Sequence, residues 1–471
     1  MYEPVNWVLV GIWVVTAVAA AGHALINKRD PRAALGWIVV SLTVPLAGPL
    51  LYFIFGVNRI RTRAKTLPGL GSVPARKPAT VGAKVPLPLE FSELARISGA
   101  VSTFDLASGN HIEILHNGEQ AYPAMLHEIK SAESHIFLST YIFETNRTGR
   151  DFIDALTRAV DRGVETRVII DGIGRLYSRP RADRLLAKRG AKVARFLPPR
   201  VIPPSVHVNL RNHRKILVID GRVAFTGGMN IGDRHLADRS DNPDRVVDAH
   251  FRLIGPVVGQ LQQVFLDNWS FVTGGAAECF PVDDREAAGP AECRTIVEGP
   301  DEDLDKLLSI LVGAVSAARR QVAIMTPYFI PPRELVGALQ AAALRGVDVT
   351  VILPGKNNLP FVSWASRNML WEILQRGVRV FLQPPPFVHT KLFLVDGHYV
   401  QVGAANMDPR SLRLNFELVV EIYDREFAQT INRHFEAVRE RSREITLEEV
   451  DSRPLPVRIR DGLAWLMSPY L

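Results

Sequence analysis

The sequence predicts an α/β protein in which two related lobes follow an N-terminal membrane anchor. Three observations support this fold class. Uncharged apolar stretches open the chain, the remaining sequence alternates short strand-like apolar runs with helix-like stretches, and this alternation occurs twice. A chain of 471 residues with 47% hydrophobic content is long enough for at least two folded units.

The anchor is predicted to occupy residues 1–62, with spans at about 5–27 and 33–57. Neither stretch contains a charged residue, and each is long enough to cross about 30 Å of hydrocarbon as a helix. A cleaved signal peptide is the alternative, but its basic residues would precede the apolar run, whereas here they follow it. Pro45, Gly48 and Pro49 interrupt the second stretch, which is therefore either a kinked span or a re-entrant segment.

The basic residues around the spans favour a multi-pass protein of the plasma (inner) membrane with the rest of the chain in the cytoplasm. Three of them lie in the turn at 28–32 and four follow the second span, at positions 59, 61, 63 and 65. The positive-inside rule then favours the cytoplasm for the rest of the chain by a narrow margin. Residues 63–104 are predicted to form a linker and membrane-proximal segment, because their first part is rich in Pro, Gly and Ala.

Charge and cysteine content restrict the partners only weakly. A net charge of +7 and a pI of about 9.5 fit either acidic lipid headgroups or nucleic acid. The two cysteines, Cys279 and Cys293, lack metal-ligand spacing, so we expect two free thiols or one incidental disulfide.

The repeat sets the lobe boundaries. The predicted strand at 135–141 matches a second at 321–328, and each is followed by a helix, an Arg-Gly-Val turn and another strand. The predicted units are a first lobe at 105–272, an inter-lobe segment at 273–294, a second lobe at 295–445 and a C-terminal tail at 446–471. A duplicated binding module would give the same pattern, so the repeat alone establishes no chemistry.

Each lobe carries the pattern His-x-Lys followed five residues later by Asp. The six candidate catalytic residues are His213, Lys215, Asp220, His389, Lys391 and Asp396. Two such matches at equivalent places of a repeat are improbable by chance in a chain with 12 histidines. Strand residues two apart point to the same side, so each lobe presents an imidazole and an ammonium together.

That pairing suits phosphoryl transfer without a metal. One neutral imidazole can attack phosphorus, a second, protonated imidazole can donate to the leaving oxygen, and two lysines can neutralise the phosphate oxygens. Asp220 and Asp396 fall on predicted hairpin turns and at the opposite parity, so we expect them to brace the strand ends.

Further candidates follow each motif. Gly227 and Gly403 are predicted to permit close backbone approach, while Asn230 and Asn406 donate hydrogen bonds to the phosphate. Two carboxylates at matching places, Asp248 and Glu417, are each expected to hold the histidine of their own lobe in one tautomer. A surface carboxylate at a strand end is the alternative for both.

These motifs resemble those of the phospholipase D superfamily, and within it the bacterial cardiolipin synthases. Local runs such as Pro-Leu-Ala-Gly-Pro at 45–49, Asn-Met-Asp-Pro-Arg-Ser at 406–411 and Leu-Asn-Phe-Glu at 414–417 carry the closer resemblance. The resemblance implies two duplicated phospholipase D-like α/β lobes around a pseudo-twofold axis with one shared active site. One departure is that Gly228 and Ala404 stand where many superfamily members have serine.

The implied activity is transfer of a phosphatidyl group from one phosphatidylglycerol to another, giving cardiolipin and glycerol through a phosphatidyl-histidine. Analogy favours His213 as the nucleophile. The implied partners are two phosphatidylglycerol molecules and the lipid bilayer, with no metal, other cofactor or nucleic acid, and with a homo-oligomer left open.

Three rival functions remain open at this stage. A hydrolase or headgroup-exchange enzyme of the same superfamily would differ only in what resolves the intermediate. A superfamily nuclease is permitted by the basic pI but disfavoured by the membrane spans, and a non-enzymatic scaffold would predict decayed motifs.

Outside the motifs, His23, His235 and His250 are expected to be packing or solvent-facing residues, and the tail at 457–471 either docks at a bilayer or covers the core.

Overall fold

The computed structural model describes residues 3–28, 31–56, 87–199, 210–275, 279–282, 287–299 and 305–468. The chain divides into two compact units, Met1–Leu67 and Pro68–Leu471.

The N-terminal unit contains one long apolar helix followed by a broken one. Its elements are α1 (Glu3–Asn27), α2 (Pro31–Thr43), α3 (Ala47–Leu51) and a π-helical turn (Tyr52–Gly56). Among the described residues, only the segment Trp7–Asn27 of α1 is long and apolar enough to cross a membrane. With 13 residues, α2 extends only about 20 Å. The predicted interruption at Pro45 is present, and a second full span is not confirmed.

The helices of this unit pack through small residues and one tyrosine. Ala20 and Ala24 of α1 are buried against Tyr52, and the Tyr52 hydroxyl lies 2.7 Å from Nδ1 of His23. His23 is otherwise exposed, so the structure agrees with the packing or solvent-facing role expected of it.

In the described part of the larger unit, fifteen strands form one continuous sheet. The strands of the first lobe are β1 (Ala107–His116), β2 (His135–Thr140), β3 (Glu165–Asp171), β4 (Lys192–Phe196), β5 (Ile216–Ile219), β6 (Val223–Gly227) and β8 (Ala249–Ile254). Those of the second lobe are β9 (Ala291–Glu298), β10 (Gln321–Met325), β11 (Asp348–Pro354), β12 (Arg379–Gln383), β14 (Leu392–Val395), β15 (Tyr399–Gly403), β16 (Glu417–Tyr423) and β17 (Arg443–Ile445). A separate two-stranded ribbon joins β7 (Val246–Val247) to β13 (Phe387–Val388).

The strand order repeats between the lobes, as the sequence repeat predicts. The first lobe runs β4-β3-β2-β5-β6-β8-β1, and the second runs β12-β11-β10-β14-β15-β16-β9 with β17 added at its edge. In each lobe three strands are parallel and the following ones antiparallel. The lobes join where β1 pairs antiparallel with its equivalent β9, the arrangement that a local twofold axis between them requires.

Helices cover the sheet, and each lobe contains a large cluster of buried hydrophobic side chains. They are α4 (Leu89–Val101), α5 (Asn117–Ser131), α6 (Arg147–Asp161), α7 (Ala182–Lys188), α8 (Val257–Thr273), α9 (Lys306–Ala317), α10 (Arg333–Leu344), α11 (Pro360–Leu374), α12 (Pro409–Arg413), α13 (Arg425–Glu440), α14 (Leu447–Asp451) and α15 (Leu455–Leu466). The glycines expected after two of these helices, Gly163 and Gly346, have φ values of 88° and 89°, which only glycine adopts readily.

Three boundaries differ from the sequence prediction. The predicted linker contains α4, whose Phe91 and Leu94 are buried in the core of the second lobe. Strand β9 begins at Ala291, inside the predicted inter-lobe segment, and the tail packs on the second lobe through Val450 and Ala464. Linker and tail therefore contain folded parts, because each carries apolar residues at helical spacing. Both cysteines are free thiols, Cys279 exposed and Cys293 buried.

Candidate active site

Each motif leads into a central strand that ends in a tight hairpin turn. At the turn after β5, Asp220 and Gly221 have φ values of 54° and 64°, and the equivalent pair after β14 has 51° and 62°. Two successive left-handed residues form the turn that suits antiparallel hairpins. The Asp220 carboxylate accepts hydrogen bonds from three successive backbone N–H groups at 133–135, at 2.8–2.9 Å.

Asp396 repeats this arrangement by accepting three N–H bonds at 319–321, all at 2.8 Å. Each aspartate thus ties its turn to the start of the neighbouring central strand. These contacts agree with the bracing role expected of both residues.

The two candidate orienting carboxylates are exchanged between the lobes. Oε1 of Glu417 lies 3.2 Å from Nδ1 of His213, and Oδ2 of Asp248 lies 2.8 Å from Nδ1 of His389. Both carboxylates are buried, at 0% and 2% exposure. The expectation that each carboxylate holds the histidine of its own lobe is therefore wrong.

Backbone pairing between the lobes causes this exchange. The N–H of His213 donates to the carbonyl of Phe416 at 3.0 Å, and that of His389 donates to the carbonyl of Val247 at 2.7 Å. Strand β13, just before His389, pairs in parallel with β7, just before Asp248. Each histidine is thus held beside the residue that precedes the other lobe's carboxylate.

Both motif lysines are buried beside their histidines. Nζ of Lys391 lies 3.0 Å from Nδ1 and 3.1 Å from Nε2 of His389, and Nζ of Lys215 donates to the carbonyl of His213 at 2.8 Å. Burial lowers the pKa of Lys391 to about 7, although the charge of Asp248 opposes the change. Burial also lowers the pKa of Lys215, so both ammonium groups lie in an environment that favours a bound anion.

The electrostatics connect the two histidines. Burial lowers the pKa of His213, against the opposing effect of Glu417. The pKa of His389 lies well below its usual value, because of burial first and then the charges of Lys391 and Lys215. Lys215 belongs to the first lobe, so both motifs contribute to one site. Burial thus favours the neutral form of both imidazoles, the form in which histidine is a nucleophile.

The trailing asparagines contact protein groups. Oδ1 of Asn230 accepts from the N–H of Ile142 at 3.0 Å. Nδ2 of Asn406 donates to Oγ of Ser411 at 3.2 Å, while its Oδ1 is buried without a hydrogen-bond partner in the described structure. Asn230 thus accepts a backbone hydrogen bond, whereas Asn406 donates one to a side chain. These contacts position the loops that follow β6 and β15.

The candidate glycines make room for a neighbouring strand. Gly227 and Gly403 have φ values of 146° and 153°. A Cβ would lie 2.8 Å from the carbonyl oxygen of Ala249 at Gly227, and 2.4 Å from that of Leu418 at Gly403. The close approach expected of these glycines occurs. Gly227 approaches β8, which follows Asp248, and Gly403 approaches β16, which begins at Glu417.

The departure from the superfamily pattern at position 228 has a local reason. A Cβ on Gly228 would lie 2.4 Å from Oδ1 of Asp248, so a side chain there would displace the carboxylate that contacts His389. At Ala404, the N–H donates to the carbonyl of Leu418 at 2.9 Å.

Several residues of the site lie outside the sequence prediction. The ring of Tyr141 lies 4.6 Å from that of His213, and the ring of Tyr328 lies 6.4 Å from that of His389. These tyrosines occupy equivalent places after β2 and β10, so the repeat carried a signal for them. His235 and His250 are buried in packed positions, and burial lowers their pKa values to about 3 and about 4 against the charge of Asp248.

Arg214 joins the lobes from inside the first motif. Its guanidinium donates to the carbonyls of Glu417 and Glu298, each at 3.1 Å, and to Oδ1 of Asn268 at 2.7 Å. The second motif has Thr390 at the equivalent place, so the repeat gave no signal for this residue.

Both motifs lie within segments of the chain that match a known protein family. Residues 125–269 and 311–439 match the family described as cardiolipin synthase, PLD-like domain. The chain belongs to this family. Each of the two matched segments contains one complete His-x-Lys motif and its aspartate. Residues 11–56 match a second family, described as phospholipase D-nuclease N-terminal.

Full-length relatives carry the same family name. The chain is 31% identical to the major cardiolipin synthase ClsA of Bacillus subtilis over 94% of this chain and 95% of that protein. It is 27% identical to a cardiolipin synthase of Staphylococcus aureus over 99% and 97% of the two chains. The fold of the phosphatidylserine synthase of Haemophilus influenzae covers 80% of this chain and all of that one, with a TM-score of 0.62 at 14% identity.

Proposed function

We propose that this cardiolipin synthase family member transfers a phosphatidyl group from one phosphatidylglycerol to the 3′ hydroxyl of another. The observation that carries the proposal is the exchange between the lobes: each of the two histidines pairs with the carboxylate of the other lobe and lies beside a lysine. The relatives that match nearly the whole chain are named cardiolipin synthases, which supports the same substrate class.

In the first half-reaction, Nε2 of His213 attacks the phosphorus of the donor lipid. Nδ1 faces Glu417, which leaves Nε2 for attack and stabilises the positive charge that develops on the ring. The bond from phosphorus to the glycerol oxygen breaks, and protonated His389 gives that oxygen its proton. The products of this step are phosphatidyl-His213, neutral His389 and glycerol.

In the second half-reaction, the 3′ hydroxyl of the acceptor phosphatidylglycerol attacks the same phosphorus. Neutral His389, held by Asp248, accepts the hydroxyl proton, and the bond from phosphorus to His213 breaks. Cardiolipin leaves and His389 is protonated again, so protons balance over the cycle. Lys215 and Lys391 oppose the charge on the non-bridging oxygens, and the bound phosphate anion in turn favours the protonated form of His389.

A product assay tests this proposal. Membranes containing the full chain are incubated with phosphatidylglycerol, and lipids and glycerol are quantified. We expect cardiolipin and glycerol in equal amounts from the wild type, and a loss of about 10⁴-fold in His213→Ala and in His389→Ala. His111→Ala, a change at an exposed histidine of β1, is the matched control and should retain full activity. Phosphatidic acid as the main product would instead indicate a hydrolase.

We also propose that the chain is a multi-pass protein whose catalytic unit lies in the cytoplasm. The apolar helix α1, the apolar but broken segment after it and the four basic residues that follow support this orientation. The exposed thiol of Cys279 offers a direct test. A membrane-impermeant maleimide should label Cys279 in inverted vesicles and leave it unlabelled in right-side-out vesicles; the reverse pattern would contradict the proposal.

A further inference from the structure

The last helix of the chain has an exposed apolar face. In α15 and the turn that follows, Leu455, Ile459, Leu463, Leu466 and Met467 are 67%, 54%, 60%, 63% and 44% exposed. Their spacing of three or four residues places them on one side of the helix, and we call this set the apolar stripe. The described part of the first lobe exposes only two large hydrophobic side chains, Leu176 and Tyr177.

The opposite side of α15 already serves the core. Ala464 is fully buried in the second lobe, and Asp461, also fully buried, pairs with Arg453 at 2.6 Å and with Arg460 at 2.7 Å. The helix is therefore anchored by one face, and covering the core does not account for the apolar stripe on the other.

The charges on α15 favour an anionic neighbour. The only acidic residue of this helix, Asp461, is buried and shared between Arg460 and Arg453, so with Arg458 this group of charges is net positive. At 3.6 residues per turn, Arg458 lies on one side of the stripe and Arg460 on the other. An apolar stripe bordered by arginines is the pattern of a helix that lies in the interface of a bilayer with anionic lipids.

The apolar surface continues onto the neighbouring helix. The guanidinium of Arg460 covers the ring of Trp364 in α11 at 4.6 Å, and the ring of Phe361, 41% exposed, lies 6.2 Å from Trp364. Aromatic side chains beside arginines are common at the level of lipid headgroups.

We infer that the apolar stripe of α15 docks the catalytic unit on the surface of an anionic bilayer. This inference deepens the proposed function, because phosphatidylglycerol is itself an anionic membrane lipid and the active site must meet it at that surface. Docking is separate from membrane attachment by α1: it sets where the second lobe lies against the lipid.

Spin labelling of the full chain measures the docking directly. In a Cys279→Ser background, which leaves only the buried Cys293, a nitroxide is placed by Ile459→Cys or by Leu463→Cys. The control label is placed by Leu344→Cys, at the 68% exposed end of α10 in the same lobe. The protein is studied in nanodiscs of phosphatidylcholine with phosphatidylglycerol, and in nanodiscs of phosphatidylcholine alone.

With phosphatidylglycerol, the labels at 459 and 463 should lose accessibility to a water-soluble nickel complex and gain accessibility to oxygen, whereas the label at 344 should not. In nanodiscs of phosphatidylcholine alone, the labels at 459 and 463 should be more accessible to the nickel complex and less accessible to oxygen than they are with phosphatidylglycerol. Equal water accessibility at all three positions would overturn the inference. So would spin-spin broadening that disappears on dilution with unlabelled chain, because a second copy would then cover the stripe. This readout needs no catalysis, so it stands apart from failure of the proposed reaction.

A paired activity measurement tests the consequence. The double variant Ile459→Glu with Leu463→Glu should make cardiolipin about tenfold more slowly in vesicles, where burying two carboxylates opposes docking, and at the wild-type rate in detergent micelles. Leu344→Glu should match the wild type in both. Equal losses in vesicles and micelles would place the stripe in the folded framework of the active site and contradict a docking role.

Discussion

The two lobes carry the same motif in different surroundings. In the first lobe, Nδ1 of His213 lies 3.2 Å from Glu417, and the nearby lysine bonds to backbone. In the second, Nδ1 of His389 lies 2.8 Å from Asp248, and the ammonium of Lys391 lies 3.0 Å from the same ring. The comparison teaches that duplication supplied two similar half-sites, and that contacts exchanged between the lobes made them unequal.

The inequality supports a division of labour. The closer carboxylate, Asp248, helps His389 to carry a proton, which an acid and base must do in both half-reactions. Burial lowers the pKa of both histidines, so the difference lies in the pairing: His213, 3.2 Å from its carboxylate, is held less closely and is available to attack. The exchange also means that neither lobe has a complete histidine and carboxylate pair of its own.

Within this comparison of the lobes, the largest expected effects come from removing one carboxylate charge at a time. With a donor lipid whose leaving group is nitrophenolate, which departs without a proton, Glu417→Gln should slow the initial burst of nitrophenolate by about 10²–10⁴-fold. Asp248→Asn should preserve that burst and slow the later transfer to phosphatidylglycerol by a similar factor. Rapid-mixing absorbance and cardiolipin quantification separate the two steps. If each carboxylate served its own lobe, the two variants would exchange phenotypes.

An intermediate effect on stability is expected at the hairpin turns. Asp220→Ala and Asp396→Ala each remove a carboxylate that accepts three backbone N–H bonds, at a cost of about 3 kcal/mol in the free energy of unfolding. Unfolding of the full chain in detergent measures the loss, which should be similar in both lobes. Asp220→Asn and Asp396→Asn keep one acceptor oxygen and the turn conformation, so they should lose less. Full stability combined with lost activity would indicate a direct catalytic role instead.

The smallest effect concerns the pH dependence of the two lysines. Because the pKa of Lys391 is lowered to about 7, its amine carries a positive charge below about pH 7 and loses that charge as the pH rises above this value. The value of kcat/KM, which reports the free enzyme, should therefore fall above about pH 7. Lys391→Arg should move this fall to higher pH, because a guanidinium stays charged, while Lys215→Arg should leave it in place. A fall that moves with Lys215→Arg alone would assign the titration to the first lobe.

Local patterns carried much of the fold. The apolar runs at 216–219 and 392–395 form β5 and β14, and the Asp-Gly pairs after them form the predicted turns. Periodicity and turn chemistry act over a few residues, so a single sequence shows them. The second membrane segment was harder to predict. The uncharged stretch at 33–57 is long enough for a span, but the helices that it forms, α2 and α3, are each too short to cross a bilayer.

The exchanged carboxylates were beyond the same reasoning. The partner of Asp248 depends on the pairing of β7 with β13, two-residue strands whose register aligns Val247 with Val388, 141 positions later. The partner of Glu417 depends on a single bridge between Asn212 and Phe416. Neither pairing leaves a periodic signal in the sequence. The residue types of the site were predictable from the repeat, whereas the lobe that supplies each one was decided by tertiary contacts.

The site that both lobes build is tested most directly by trapping its covalent intermediate. His389→Ala is mixed with the nitrophenyl donor and quenched under alkaline conditions, which preserve phosphohistidine, and the modified peptide is mapped by mass spectrometry. Without the base that activates the acceptor, the phosphatidyl group should accumulate on His213, and His213→Ala should yield neither burst nor adduct. An adduct on His389 in the wild type, or a burst that survives in His213→Ala, would contradict the account.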